Sequence, residues 1–210
     1  MNKATRNTIN SPANDAAKFV TQRVRLLDVQ GSWQTAMLAK LRRGVGKEPG
    51  ELPDLWEVTL DGLPESLRGY SEGANRGEWA VHIALTLYAL HRQGKSGSMS
   101  CEGVSLGSAI AQLRTLENEQ SLKRRFDALL TAKDFQALSR HARSLVQLLR
   151  AADVKFDYPQ FARDVYRYQL EDAQIRNQVR LRWGRDYYRL KKADDSSTKE
   201  RVEDSTVSQD

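Results

Sequence analysis

GEWAVHIALTLYALHR, residues 77–92, decides the fold class. Trp79, Ile83, Leu87 and Leu90 recur along it at three- and four-residue spacing, the period of a helix face rather than of a strand. On either side the same period returns. Towards the N-terminus, Asn14 is a predicted cap for a helix carrying Phe19, Val20, Val24 and Leu27. A second helix is predicted from Ser32, with Trp33, Met37 and Leu41 on one face, stopping at Gly44-Val45-Gly46. Residues 47–76, punctuated by Pro49, Pro53, Pro64 and several glycines, read as a loop with short helical turns that bring Leu55, Trp56 and Leu67 to a core.

Towards the C-terminus, QGKSGSMSCEG (93–103) reads as a flexible polar loop. Four helical segments are predicted after it: 105–116, 119–132, 134–152 and 159–191, the last broken near Leu170–Asp172. Nothing alternates with period two for long enough to make a strand. The expectation is an all-α protein, a compact helical bundle of two packed helical parts with flexible N- and C-terminal ends. Its predicted organisation is a partly flexible N-terminal extension (1–27), an N-terminal helical part (28–116), an arginine-rich C-terminal helical part (117–192) and a disordered acidic tail (193–210). The ends are too poor in apolar residues to offset the entropy of ordering them.

Charge is the second signal. The chain carries a net +6, but residues 121–192 alone hold 17 Lys/Arg against 8 Asp/Glu, a local +9. The tail masks part of it, with 2 basic against 6 acidic residues in 193–210. Basic charge concentrated in this way attracts polyanions, nucleic acid foremost. Most of it is arginine, whose planar guanidinium forks onto phosphate oxygens and stacks on bases. On a helix over 134–152, Phe135, Leu138, Ala142, Leu145 and Leu149 share one face while Arg140, Arg143 and Arg150 share another. Arg163/Arg167, Arg176/Arg180 and Arg185/Arg189 repeat an i, i+4 spacing, which costs a few tenths of a kcal/mol per like-charged pair. The plain alternative is a solvated helix face. Repetition over consecutive helices sets an anion-binding surface level with that alternative.

Catalytic signatures are missing, with one decoy. Gly103-Val104-Ser105-Leu106-Gly107 matches the G-x-S-x-G elbow of serine hydrolases, but that motif needs a buried strand before the serine. The polar run ahead of it cannot supply one, so Ser105 reads as a helix N-cap. His82, His91 and His141 lack metal-ligand spacing, and the lone Cys101 has no C-x-x-C partner. Phosphate-loop and dinucleotide fingerprints are absent. No cofactor is expected, and a binding or scaffold protein is favoured over an enzyme. The N-terminus has no apolar signal core and no apolar run approaches bilayer length, so a cytoplasmic protein with no membrane partner is expected. A stand-alone helical nucleic-acid-binding protein or regulator is the alternative, although no compact helix-turn-helix is visible.

An ordered series of segments carries a family resemblance. AKLRRG (39–44), GVSLGSAI (103–110), LKRRFDALLTA (122–132), SRHARSLVQLLR (139–150) and DYPQFARDVYRY (157–168) together resemble the CasB family, the small subunit of the type I-E Cascade complex. The resemblance spans roughly residues 28–190 and does not reach the N-terminal extension or the acidic tail. It implies an all-helical, non-catalytic subunit of a CRISPR RNA-guided surveillance complex. Its implied partners are the crRNA-binding backbone subunits, the large PAM-reading subunit, crRNA, target DNA including the displaced strand, and a second copy of itself lying head to tail. It also implies that basic surface stabilises the R-loop while a separately recruited helicase-nuclease degrades the target. By match to the motif positions, Arg42, Arg43, Lys123, Arg124, Arg125 and Arg143 are the first candidates for nucleic-acid contact. Arg140, Arg163, Arg167, Arg176 and Arg180 follow from periodicity.

Overall fold

A computed structural model describes the backbone of residues 3–203 and the side chains of residues 11–189. In chain order it contains α1 (Lys3–Asp28), α2 (Ser32–Arg43), a 3-10 turn (Pro53–Leu55), α3 (Trp56–Thr59), a second 3-10 turn (Glu65–Leu67) and α4 (Arg76–His91). There follow α5 (Leu106–Ala111), α6 (Glu119–Leu130), α7 (Phe135–Ala151), α8 (Tyr158–Tyr168) and α9 (Ala173–Glu203). Among the described residues there is no strand, only an isolated bridge between Ser100 and Phe156. The all-α expectation holds.

α4 is the axis of the molecule. Asn75 and Glu78 start it with a reciprocal capping box: the Glu78 N–H donates to Asn75 Oδ1 at 2.9 Å and the Asn75 N–H to Glu78 Oε2 at 2.9 Å. From Trp79 to His91 every side chain is buried, so the helix has no solvent face. α1, α2, α7 and α8 surround it. Its histidines are packing residues. His82 Nε2 lies 3.1 Å from the Gly44 carbonyl at the end of α2, and His91 Nδ1 lies 3.1 Å from the Tyr158 hydroxyl. That hydroxyl donates to the Leu87 carbonyl, so His91 holds its proton on Nδ1.

The predicted Ser105 cap is present, and Asp134 and Asp157 cap two further helices in the same way. Ser105 Oγ accepts from the Ser108 N–H at 3.1 Å, Asp134 from Ala137 at 2.6 Å and Asp157 from Gln160 at 2.8 Å. The break between Tyr168 and Ala173 also falls where proposed. Gly107 of α5 sits against the backbone of α9. A Cβ there would lie 2.2 Å from the Trp183 carbonyl oxygen, so only glycine admits this approach.

Several expectations need correction. Asn14 is not a cap, because α1 runs through it from Lys3. Ala13, Ala16, Phe19, Val20, Val24 and Leu27 are buried, and α1 packs along α8 rather than hanging off the body. Trp33 and Trp56 are not core residues, being 43% and 46% exposed. Trp33 lies at the edge of its helix face, where its indole N–H donates to Glu57 Oε1 at 2.9 Å. The helix predicted over 105–116 stops at Ala111. The 93–103 segment is tied down: Met99 is buried and the Cys101 N–H donates to the Phe156 carbonyl at 3.1 Å. One apolar cluster runs from Ala16 to Tyr187 and takes in residues of both predicted helical parts. α9 remains helical to Glu203, and the remainder of the predicted acidic tail, 204–210, lies outside the described residues.

Candidate nucleic-acid interface

The predicted basic residues separate into three environments, and the geometry of each helix explains the division. On α6, Leu122, Phe126 and Leu129 face the core. At 100° per residue, Lys123, Arg124 and Arg125 must then point in three different directions. Lys123 pairs with Asp127 at 2.5 Å, its ammonium held above the usual lysine range chiefly by that hydrogen bond. Arg124 points to solvent, its Nε donating to the Gln120 carbonyl at 3.4 Å. Arg125 turns to α7 and donates to Ser144 Oγ at 2.6 Å. The three neighbours in sequence are not one cluster in space.

α7 assembles a better one. Its inner face is Leu138, Ala142, Leu145, Val146 and Leu149, all buried. Gln136, Arg140 and Ser144, each one turn from the next, form an outer stripe. Gln136 Nε2 donates to Glu48 Oε1 at 2.9 Å, which sets the loop after α2 at one end of the stripe. Arg125 meets Ser144 at the other end. Arg140 and Arg143 are exposed and make no ion pair among the described residues. Arg42, half-buried, is likewise without an ion pair among them, whereas Arg43 pairs with Asp54 at 2.9 Å.

The third environment is the seam of α8 and α9. Phe161, Val165 and Tyr168 are buried as predicted, but the arginines thought to stand opposite them are half-buried. Arg163 donates to Gln160 Oε1 and Arg167 to Gln178 Oε1, each at 3.1 Å. Burial lowers the Arg167 pKa, and the nearby charge of Arg163 lowers it further. Arg176 and Arg180 hold the fold. Arg176 donates to the Leu170 carbonyl at 3.2 Å, at the break between the two helices. Arg180 lies 5.3 Å from the centre of the Tyr168 ring and donates to its hydroxyl at 3.1 Å. That hydroxyl in turn donates to the Leu130 carbonyl at 2.6 Å, so Arg180 steadies a link between α8 and α6.

Arg182 escaped the sequence reading. It pairs with Asp164, a carboxylate that also accepts from the Trp183 indole N–H at 2.7 Å and from Gln160 Nε2 at 2.8 Å. Residues 178 and 186 are Gln and Asp, so no i, i+4 arginine repeat marked it. Arg114, stacked 4.8 Å from the Tyr187 ring centre, was missed for the same reason. Among the described residues no group of three or more His, Cys, Asp or Glu could hold a metal ion, and no helix is long and apolar enough to cross a membrane.

Comparison with known proteins agrees with this architecture. No curated protein matches the chain. The crystal structure of CasB from Thermobifida fusca superposes with a TM-score of 0.70 at 32% identity, covering 83% of this chain and 98% of that one. CasB from Thermus thermophilus gives 0.63 at 24% identity, over 82% and 97%. A chain in a structure described as a CRISPR RNA-guided surveillance complex gives 0.66 at 22% identity, over 89% and 99%, a likeness of fold. The family model for CRISPR-associated protein Cse2 matches residues 37–188, most of the described helices. With that match and the Thermobifida similarity in agreement, this chain belongs to the Cse2 (CasB) family.

Proposed function

We propose that this chain is a non-catalytic subunit of a Cascade-type, RNA-guided CRISPR surveillance complex, and that it holds nucleic-acid backbone to stabilise the target R-loop, the displaced strand in particular. The observation that carries the reading is the α6–α7 face, where Arg140 and Arg143 stand exposed and without ion pairs among the described residues, beside Arg125. Such guanidiniums are free to fork onto phosphates, whereas those at the α8–α9 seam are largely engaged by the protein. Family membership supports the same assignment. Its partners in this reading are the crRNA-binding backbone subunits, the large PAM-reading subunit, crRNA, target DNA and a second copy of itself.

The energetics suit a subunit that only holds. Exchanging a DNA duplex for an RNA–DNA hybrid of equal length is nearly balanced, so a few backbone contacts decide whether the opened state persists. Each phosphate neutralised on a single strand contributes about −0.7 to the slope of log K against log salt. A complex carrying Arg140→Glu and Arg143→Glu tests the proposal. Normal assembly with weaker target binding and a shallower salt slope is expected. Failure of the subunit to join the complex would make these interface residues and overturn their assignment to nucleic acid.

A further inference from the structure

A groove of about 560 Å³ runs between α1 and the start of α8, closed at one end by the 98–103 loop. α1 contributes Lys18, Thr21 and Arg25, spaced i, i+3, i+7 and therefore on one helix face. At 1.5 Å per residue the two cations stand roughly 10 Å apart along the helix. Arg163 faces them from α8. The rest of the lining includes the hydroxyls of Ser98 and Ser100.

The charges in this groove are unevenly committed. Of its two acids, Asp157 is spent on backbone donors: the Gln160 N–H at 2.8 Å and the Gly103 N–H at 3.0 Å. Glu102 is exposed at the rim. Arg25 makes no ion pair among the described residues, and Lys18, three-quarters exposed, has only Asp15 at 3.6 Å. Arg23 of the same helix, in contrast, is used by the fold: it bonds the Asp61 carbonyl and lies 4.6 Å from the Phe19 ring centre. Arg163 has a buried Nε without a hydrogen-bond partner. Its charge also disfavours the protonated forms of both Arg167 and Arg182, behind the larger effect of burial in each. Arg163 on the groove wall is thus a cation whose charge is felt by Arg167 and Arg182 behind it, and an anion in the groove would offset that charge.

We propose that the α1–α8 groove seats the phosphodiester backbone of a single nucleic-acid strand, with Lys18 and Arg25 on one wall and Arg163 on the other. The inference rests on the nucleic-acid reading above and adds a second contact face, built partly from a helix that the matched family segment, residues 37–188, does not contain. It also gives Arg163 a role that its half-buried position alone would not suggest.

The test uses the full chain and a labelled single-stranded oligonucleotide, titrated over a range of salt. A Lys18→Ala/Arg25→Ala variant is compared with wild type and with Arg140→Glu/Arg143→Glu. Both α1 positions are exposed, so the substitutions leave the core intact. The expected result is binding weaker by about tenfold and a salt slope shallower by about 1.4, the share of two lost phosphate contacts. If the α1 variant bound as wild type while the α7 variant lost affinity, the groove would be excluded and the α6–α7 reading would stand. If wild type and both variants bound alike, or none bound, both would fall.

Discussion

Arg182 of α9 and Asp164 of α8 form an ion pair in which the carboxylate is 1% exposed and the arginine side chain 35%. With the Trp183 indole and Gln160 also donating to it, the Asp164 carboxylate is satisfied on both oxygens. This pair joins the two most arginine-rich helices without any need of ligand.

Removing the acid should be costly. In Asp164→Ala the Trp183 N–H and the Arg182 guanidinium lose their acceptor together. A loss of about 3 kcal/mol is expected, the range for breaking a buried pair from one side. Urea unfolding measures it, and Asp164→Asn, which retains an acceptor oxygen, should lose less.

Gly107 and Ser105 come from the same decoy motif and should behave very differently. Gly107→Ala forces a methyl group to within 2.2 Å of the Trp183 carbonyl oxygen and so drives α5 from α9. A Tm fall larger than that of any surface substitution is expected. Ser105→Ala removes only a cap, costing about 1 kcal/mol, and should leave oligonucleotide binding unchanged.

Arg180→Ala should lower stability by about 1 kcal/mol through its lost cation–π and hydrogen-bond contacts with Tyr168. Arg143→Ala should change stability by no more than about 0.5 kcal/mol and weaken nucleic-acid binding instead. Calorimetry on the two variants, beside an oligonucleotide titration, separates arginines that build the fold from those that serve it. Equal effects on both readouts would contradict the division made at the α8–α9 seam.

Acid should act through His91. Burial, aided by the charge of Lys95, lowers its pKa from 6.5 to about 4. The unfolded chain therefore binds a proton that the folded one refuses between those values, and stability falls as pH drops from about 6.5 towards 4. At full extent this amounts to about 3 kcal/mol. His91→Leu should flatten that part of the stability–pH curve, measured by urea midpoints between pH 7 and 4.5.

The helical period was enough to find α4, α6, α7 and α8, because their apolar residues recur where the core lies. Ser105 was legible as a cap, since capping depends on local spacing, whereas Asn14 is no cap because α1 continues back through it. The fate of the arginines was not. Arg140 and Arg163 look alike along the chain, each opposite an apolar stripe. Arg163 is half-buried on a helix that packs against both α1 and α9, while Arg140 stands exposed on α7. Trp33 shows the same limit: 40° of rotation from the buried Met37 places it at the edge of its face. Lys123 to Arg125 matched as a block in sequence, and the turn of the helix split them.

The apolar girth of α4 also bears on how the chain comes off the ribosome. A helix that needs α1, α2, α7 and α8 around it has no partner on two of its sides until Tyr168 has been synthesised. Through that interval its apolar surface stands open, the condition in which nascent chains meet chaperones or one another. A chain cut before α8 would keep that exposure, since α8 supplies one of the helices packed around α4.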